Sequence, residues 1–457
     1  MFKCVEPDHA GTVLWTDRLS IVTKLARFEG VNVGRGLRRF FEFIGPAALA
    51  VVFLASSITY VSATIVTVAG DAAVGKNSLA MPGSQDILKD ALGKYVAVYV
   101  DVGGNLSVVY ANGDPTQAGA WSAPAKSPMP AVAYRRPAAV LTSPMSMRII
   151  AEGGPAAGAL VDIPLTLSRD LGGNIVSVSY GSATVLATSA QYPSAISTHD
   201  GGIVVAWNSA VAGVASSVFS LRWTLLSGWT SVADPLSRTP DTVIRDLTNT
   251  NNVQANVIER PDNFALLVVG NRGERSNETT LVFNSASYNG IGWAWGTQNL
   301  AYETDASRGL SDATDLAWDP VRSVVVVTYD ISRTSRYGIL QIDAAGSKVH
   351  ADTPDLKLTN NEWGVLEVDP STGDYYLFTM DTPLSPPWGQ EYGNVTYTRR
   401  SNGVWSATLT LIDGGIDNMG ISPLRPTLGT GGDGAREIVY AKGRTAPATL
   451  NFVRLSP

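Results

Sequence analysis

A unit of 51 to 62 residues recurs along most of this chain, and no other feature of the sequence restricts the fold as strongly. Each unit has a short apolar strand, a tight polar turn and a second strand rich in β-branched residues, as in AISTHDGGIVVAW (195–207) and LAWDPVRSVVVVTY (316–329). The turns contain Asp-Gly, Asp-Pro or Pro-Asp-Asn, which favour sharp chain reversals. The centres of the seven turns are Gly93, Ser146, Asp200, Asp262, Val321, Thr372 and Gly432.

A unit of this length accommodates four strands of about six residues with their connections, which is one blade of a β-propeller. Solenoid repeats are usually shorter and more uniform, whereas β-sandwich domains need about 100 residues. We therefore predict an all-β fold, with a single β-propeller of about seven four-stranded antiparallel blades over residues 64–457 and six blades as the alternative. The composition agrees, because 16% charged residues, 44 Gly and 25 Pro suit short strands and tight turns.

The two ends of the predicted propeller are expected to meet in one blade. The last unit supplies only three strands, PTLGT, REIVYAK and TLNFVRL, before the sequence stops at Pro457. Thr64–Ala69 is an alternating β-branched run without a neighbour of its own. Because an open ring leaves strand edges unpaired, we predict that this run forms the fourth strand of the seventh blade.

Residues 1–63 are predicted to be an N-terminal leader that contains a hydrophobic export helix. The stretch FIGPAALAVVFLASSITYVSA (43–63) has no charge, and Arg35, Arg38 and Arg39 precede it. This order is typical of a signal peptide, with cleavage after Ala63. The same stretch is also long enough to remain as a membrane anchor. In both cases the body is secreted or extracellular, and it contacts a membrane only through residues 43–63 if these are not cleaved.

The charges and the rare residues exclude several classes of function. The net charge is −6, and after residue 63 it is −8 (27 basic and 35 acidic residues) with no basic run, which argues against a nucleic-acid partner. The only cysteine, Cys4, precedes the export segment. Only His199 and His350 follow that segment, so the sequence supports neither a zinc site nor a Ser-His-Asp triad. We predict no metal and no cofactor.

Tryptophan recurs after the third strand of several units, in AGAWSAP (118–124), LSGWTSV (226–232), GIGWAWG (290–296) and NGVWSAT (402–408). At one repeated position it is expected to cover the neighbouring blade, whereas a row of sugar-stacking tryptophans is the alternative. Ser401-Asn402-Gly403-Val404-Trp405-Ser406 and Gly119-Ala120-Trp121-Ser122 resemble the S-x-D-x-G-x-x-W loop of sialidase-like (BNR-type) propellers. The Asp and the family's Arg-Ile-Pro motif are absent, so the resemblance implies the architecture and does not supply a catalytic set.

The predicted ligand site lies on the propeller face where the first strand of each blade begins and the second and third strands are joined. The longest of these loops, MDTPLSPPWGQEYG (380–393), combines aromatic side chains for stacking on a sugar with acids that accept hydroxyl hydrogen bonds. Arginines on the same face are suited to an anionic ligand, because guanidinium binds carboxylates in a bidentate manner. The predicted ligand-binding residues are Arg135, Arg136, Arg272, Arg275, Arg333, Arg336, Trp363, Asp381, Trp388, Tyr392 and Arg425.

Three functions fit this pattern. The first is binding of a glycan or another extracellular ligand on the channel face. The second is a sialidase-like glycoside hydrolase or a polysaccharide lyase acting there, for which Glu362, Asp315 and Glu391 are the candidate catalytic carboxylates. The third is a structural part of a cell-surface assembly.

Overall fold

A computed structural model describes residues 63–74, 78–79, 84–209, 217–245, 255–275, 278–303, 315–331, 336–351, 356–357, 361–381, 394–412, 418–423, 436–443 and 445–455. All regular structure in these ranges is β-strand, which confirms the predicted all-β fold there. None of the described residues forms a helix with the length and hydrophobicity needed to cross a bilayer. The predicted export segment lies outside the described residues except for Ala63.

The strands form seven separate antiparallel sheets, the blades, so the predicted blade number is confirmed. The first strand, β1, is Ala63–Ala72. Blade one contains β2 (Ile87–Lys89), β3 (Tyr95–Val100), β4 (Leu106–Ala111) and β5 (Ala125–Lys126). Blade two contains β6 (Val132–Ser143), β7 (Ser146–Gly154), β8 (Leu160–Arg169), β9 (Ile175–Tyr180) and β10 (Thr184–Ala187). Blade three contains β11 (Ala190–Ser197), β12 (Ile203–Ser209), β13 (Ser217–Thr224), β14 (Gly228–Thr230) and β15 (Asp241–Arg245).

The other four blades repeat this order. Blade four contains β16 (Ala255–Glu259), β17 (Leu266–Arg275), β18 (Glu278–Tyr288), β19 (Trp293–Trp295) and β20 (Asn299–Glu303). Blade five contains β21 (Asp315–Asp319), β22 (Val324–Ile331), β23 (Arg336–Ile342), β24 (Lys348–Ala351) and β25 (Leu356–Lys357). Blade six contains β26 (Asn361–Val368), β27 (Tyr375–Asp381), β28 (Asn394–Ser401), β29 (Val404–Trp405) and β30 (Leu409–Ile412). Blade seven contains β31 (Asn418–Pro423), β32 (Arg436–Lys442), β33 (Ala448–Leu455) and β1.

Blades one and seven have the predicted four strands. Blades two to six have five, because two short segments pair with the third strand and together take the outermost, fourth position. The first strands are innermost, and those of neighbouring blades contact each other. Antiparallel order gives the ring two faces. The upper face is where first strands begin and where second and third strands are joined, for example at 101–105 and 155–159. The lower face carries the turns between first and second strands and between third and fourth strands, for example 90–94 and 170–174.

Strand β1 closes the ring as predicted, because it pairs antiparallel with β33 as the outer strand of blade seven. Val66 and Val68 of this strand are buried, and Val68 packs in a cluster with Phe452 of β33. The same cluster contains Tyr95 of blade one, and its ring lies edge-on to Phe452 at 6.0 Å between centroids. The first and last parts of the propeller therefore share one hydrophobic core.

The repeated tryptophans pack at the blade interfaces, as predicted. Trp121 lies against Phe452 at 5.8 Å between ring centroids, and Trp293 is buried in the cluster between blades three and four. Trp229 of blade three donates its indole N–H to Asp162 of blade two over 2.8 Å. These side chains bury a large apolar area between blades, which is inconsistent with a row of sugar-stacking rings.

Candidate functional site

The first strands of blades two, three and six share an irregularity at their upper ends. Pairing of β6 with β7 passes from Arg135↔Glu152 to Ala138↔Ile150, so two residues of β6 oppose one residue of β7. The same shift places Tyr192 in the bulge of β11 and Trp363 in the bulge of β26. Bulges rotate the side chains around them and are frequent beside functional sites. In blades two and three the bulge contains a non-glycine residue of positive φ, Arg136 (47°) and Tyr192 (54°).

Arg136 is held in a buried cluster that joins blade two to blade three. Its Nη1 lies 2.9 Å from each carboxylate oxygen of Glu152, and its guanidinium carbon lies 4.4 Å from the centroid of the Tyr192 ring. The backbone N–H of Tyr192 donates to Glu152 Oε1 over 2.7 Å. Arg136 and Glu152 are both buried. These bonds give Arg136 a positioning role and leave little of its side chain open to a ligand.

Arg135, the neighbouring predicted ligand residue, has the opposite environment. Its side chain is exposed at the upper end of β6, and within the described part of the chain it makes no hydrogen bond and no ion pair. The carboxylate of Glu152, which lies opposite Arg135 in the strand register, is already bonded to Arg136. Arg135 therefore keeps its guanidinium donors available on the upper face.

Asp315, a predicted catalytic carboxylate, is fully buried at the start of β21. Its Oδ2 accepts a hydrogen bond from the backbone N–H of Leu366 in blade six over 2.7 Å, and its Oδ1 accepts one from Leu316. A carboxylate that replaces a missing ladder bond between two first strands stabilises the ring. In this position it has no access to a ligand, and its geometry gives it a structural role.

The remaining predicted residues fall into two groups. For six of them the strand position is described, and all six lie on the upper halves of their strands: Arg272 and Arg275 in β17, Arg336 in β23, Glu362 and Trp363 in β26, and Asp381 in β27. Their participation in ligand binding or catalysis stays a prediction. The other five lie outside the described residues: Arg333, Trp388, Glu391, Tyr392 and Arg425.

Two charged groups near the upper face were not predicted from the sequence. Glu152 was missed, although a lone acid at the end of the apolar strand SMRIIAEG was a usable signal. Lys126 of blade one bridges Asp71 (2.6 Å) of β1 and Asp101 (2.8 Å) of blade one. Burial by itself would raise the pKa of Asp101, but hydrogen bonds from Lys126 and Asn105 outweigh it and lower that pKa below the ordinary value. This pair links the ring-closing strand to blade one.

A crevice of about 270 Å³ lies between blades four and five on the lower face. Arg260, Tyr288 and Asp343 are among its lining residues. The Arg260 guanidinium is bonded to Asp262 and to the backbone oxygens of Ser323 (3.0 Å) and Ile342 (3.2 Å). Because these bonds cross from blade four to blade five, Arg260 fixes the two blades to each other.

The side chain of His199 is held by contacts within the protein. His199 Nδ1 lies 2.7 Å from Glu259 Oε1, and its ring stacks on Phe264 at 3.8 Å between centroids. Burial raises the pKa of Glu259 despite this bond. Across the described ranges, no three His, Cys, Asp or Glu side chains are grouped closely enough to hold a metal ion.

Comparison with known proteins identifies the fold. No protein-family model matches the sequence, and no curated protein does. The structure is similar to that of an ulvan lyase of polysaccharide lyase family PL25, with a TM-score of 0.50 and 11% identity over 84% of this chain and 94% of that chain. A Hadza microbial sialidase, Hz136, matches with a TM-score of 0.40 and 10% identity over 82% of this chain and 64% of its own. At this score the sialidase match supports no inference about function.

The resemblance to sialidase-like propellers predicted from the sequence is confirmed at the level of architecture. The chain is a seven-bladed propeller, and a polysaccharide lyase is among the proteins of similar structure. At 11% identity the likeness to the ulvan lyase concerns the fold alone.

Proposed function

We propose that this protein is an exported propeller that binds an acidic glycan on its upper face. The proposal depends mainly on one observation: Arg135 is exposed and has no ion-pair partner in the described part of the chain. It is adjacent to a rigid buried cluster of Arg136, Glu152 and Tyr192. The cluster fixes the strand that carries Arg135, and the planar guanidinium of Arg135 can bind a carboxylate or sulfate group in a bidentate manner.

Other residues of the upper face extend this site in the proposal. Arg272, Arg275 and Arg336 occupy upper strand ends, where additional positive charge favours the same anionic ligand. Trp363 lies in the bulge of β26, one residue after Glu362. Trp388 and Tyr392 are proposed to stack on sugar rings, with Asp381 accepting hydroxyl hydrogen bonds and Arg333 and Arg425 adding positive charge. The polysaccharide lyase of similar fold supports the proposal in one respect, because it shows that a protein acting on a glycan can have this architecture.

Of the three candidate catalytic carboxylates, Asp315 is the one whose side chain is described, and its environment does not suit hydrolysis. A glycosidase needs two carboxyl groups about 5–10 Å apart and open to the substrate. Asp315 is fully buried and bonded to Leu366, and Glu152 is bonded to Arg136. The catalytic alternative therefore depends on Glu362 and Glu391, and turnover is the measurement that separates the two functions.

The test is a titration of the full chain with acidic polysaccharides (polygalacturonate and alginate) and with neutral dextran. We expect binding of an acidic chain and not of dextran. Arg135→Ala is expected to weaken that binding roughly 10-fold or more, because charged hydrogen bonds contribute about 1.5–3 kcal/mol. Arg238→Ala is the matched control, since Arg238 is also exposed but lies between β14 and β15 on the outer rim.

Two results would count against the proposal. Equal affinities for the wild-type chain and Arg135→Ala would remove the upper end of β6 from the site. Release of new reducing ends or unsaturated uronates during the titration would replace binding by the enzymatic alternative. In that case Glu362→Gln and Glu391→Gln would show which carboxylate is required.

A further inference from the structure

The lower face of the propeller carries a set of exposed apolar side chains at the tips of its turns. Leu225 and Leu226 occupy the third turn of blade three with relative exposures of 85% and 97%, and Leu171 and Ile291 occupy the equivalent turns of blades two and four with 110% and 87%. In blade six the exposed Val404 directly follows the equivalent turn, as the first residue of β29. Large apolar side chains at successive turn tips of one face are typical of surfaces that meet a membrane or another protein.

The turns of blades one and two hold their apolar tips in fixed positions. Arg169 donates to the backbone oxygens of Pro144 (2.6 Å) and Gly173 (2.7 Å) and pairs with Asp90. These bonds join the three turns that carry Met145, Leu171 and Leu92. Lys94 Nζ also donates to Asn174 across the two blades over 2.8 Å. The turns that carry these three exposed apolar side chains are therefore bonded to one another.

The chain reaches the propeller through this same face. Ala63, the first residue of β1, lies opposite Leu455, the last residue of β33. Leu455 also lies opposite Arg436, the first residue of β32, and this places the start of β1 at the lower face, where second and fourth strands begin. The start of β1 and the apolar turn tips therefore lie on the same face of the propeller.

The apolar stretch 43–63 ends on the first residue of β1, so no linker separates it from the propeller. A stretch of 21 uncharged residues that remains in a bilayer would hold the lower face at the membrane surface. We propose that residues 43–63 are retained as an anchor and that the lower face docks on the lipid bilayer through Leu171, Leu225, Leu226 and Ile291. The upper face then points away from the membrane. This inference rests on the anchor and on the lower face, and it does not depend on the identity of the glycan.

The test uses the full chain reconstituted in phosphatidylcholine vesicles, with Cys4→Ser to remove the native thiol. An environment-sensitive fluorophore is attached at Leu226→Cys and, as the matched control, at Met129→Cys, an exposed apolar position on the upper face. We expect the emission of the fluorophore at position 226 to be blue-shifted. We also expect nitroxide-labelled lipids to quench this emission at least several-fold more than the emission at position 129. Binding of the acidic polysaccharide is measured on both labelled proteins, so that failure of the glycan proposal is recognised separately.

Three outcomes would overturn the docking proposal. Equal quenching at positions 226 and 129 would mean that the lower face does not meet lipid. A blue shift at position 226 without quenching by lipid nitroxides would indicate that a protein, such as a second copy of the chain, covers the turns. A mature N-terminus at Thr64 would show that the anchor is removed.

Discussion

At the scale of single residues, polar side chains that bond from one blade to the next hold the ring together. Arg436 of blade seven donates to Asp369 of blade six over 2.6 Å. Arg454 pairs with Glu437 of its own blade, seven, and also donates to the Tyr95 hydroxyl of blade one over 3.0 Å. Breaking a buried pair by removing one partner usually destabilises a protein, because the other charge is left without compensation. The ring is therefore expected to be sensitive to substitutions at its junctions.

Asp369 gives a prediction on pH. Partial burial alone would raise the pKa of Asp369, but the hydroxyl and backbone N–H of Ser371 and the guanidinium of Arg436 hold it well below the ordinary 3.8. Because the folded pKa is lowered, the charged Asp369 stabilises the fold above pH 3.8, and this contribution is lost as the pH falls through the folded pKa. Asp369→Asn is expected to lower the free energy of unfolding by roughly 1–3 kcal/mol at pH 7. In urea unfolding, the gap between the wild-type chain and the variant should shrink progressively below about pH 4. A gap that is equal at pH 7 and pH 3 would contradict the assigned role of Asp369.

Asp315 gives a second prediction, which separates a structural role from a catalytic one. Asp315→Ala leaves the backbone N–H of Leu366 buried without its acceptor, which costs about 1–3 kcal/mol. Urea unfolding of the variant should show this loss, and glycan affinity at a temperature where the variant is folded should be unchanged. Loss of a turnover activity without loss of stability would restore Asp315 to the catalytic candidates.

The sequence indicated which residue types occupy the candidate site, but it did not indicate the role of each residue. Arg135 and Arg136 are equivalent in the sequence pattern, yet one is exposed and the other is buried. The difference arises from the bulge in β6 and from Tyr192 of the next blade, which lies 56 positions further along the chain. A contact between blades depends on how the sheets pack, and it cannot be predicted from the repeat pattern alone.

At the scale of the elements, the turns and the closing strand were predictable because each depends on local chemistry. Described turns occur at 90–94, 198–202, 260–265, 320–323 and 369–374, around five of the predicted centres. Ser146, a sixth centre, is the first residue of β7, whereas Gly432 lies outside the described residues. The fourth strands were harder to predict from the sequence. In blades two to six, two short segments both pair with the third strand, so the outer strand is interrupted. Short strands at an exposed edge bury few side chains, and their apolar pattern is correspondingly weak.

Strand β1 gives a prediction on ring closure. Val68 is buried in the cluster shared by blades seven and one, so Val68→Ala removes two methyl groups from that core. We expect a loss of roughly 1–3 kcal/mol in the free energy of unfolding and a lower Tm. Thr64→Ser on the same strand is the control, since Thr64 is only partly buried. Deletion of residues 64–70 should have a larger effect while the other six blades keep their strands. Equal Tm values for the wild-type chain, Val68→Ala and the deletion would refute closure by β1.

At the scale of the whole molecule, the two faces of the ring differ in chemistry. Seven of the fourteen exposed large apolar side chains in the described residues lie in lower-face turns, whereas the exposed Arg135 lies on the upper face. The seven-bladed architecture provides the physical reason, because all inner strands run in the same direction and present equivalent ends on each face. A glycan site on one face and a membrane on the other are therefore compatible within one ring.

Hydrogen–deuterium exchange of the full chain, with and without the acidic polysaccharide that binds best, tests the glycan site most directly. We expect slower exchange at the upper ends of the first strands, at residues 132–135 and 361–363, when the polysaccharide is bound. Exchange in the lower-face turns 170–174 and 225–227 should be unchanged. Protection confined to the lower face or to the outer strands would contradict a glycan site on the upper face.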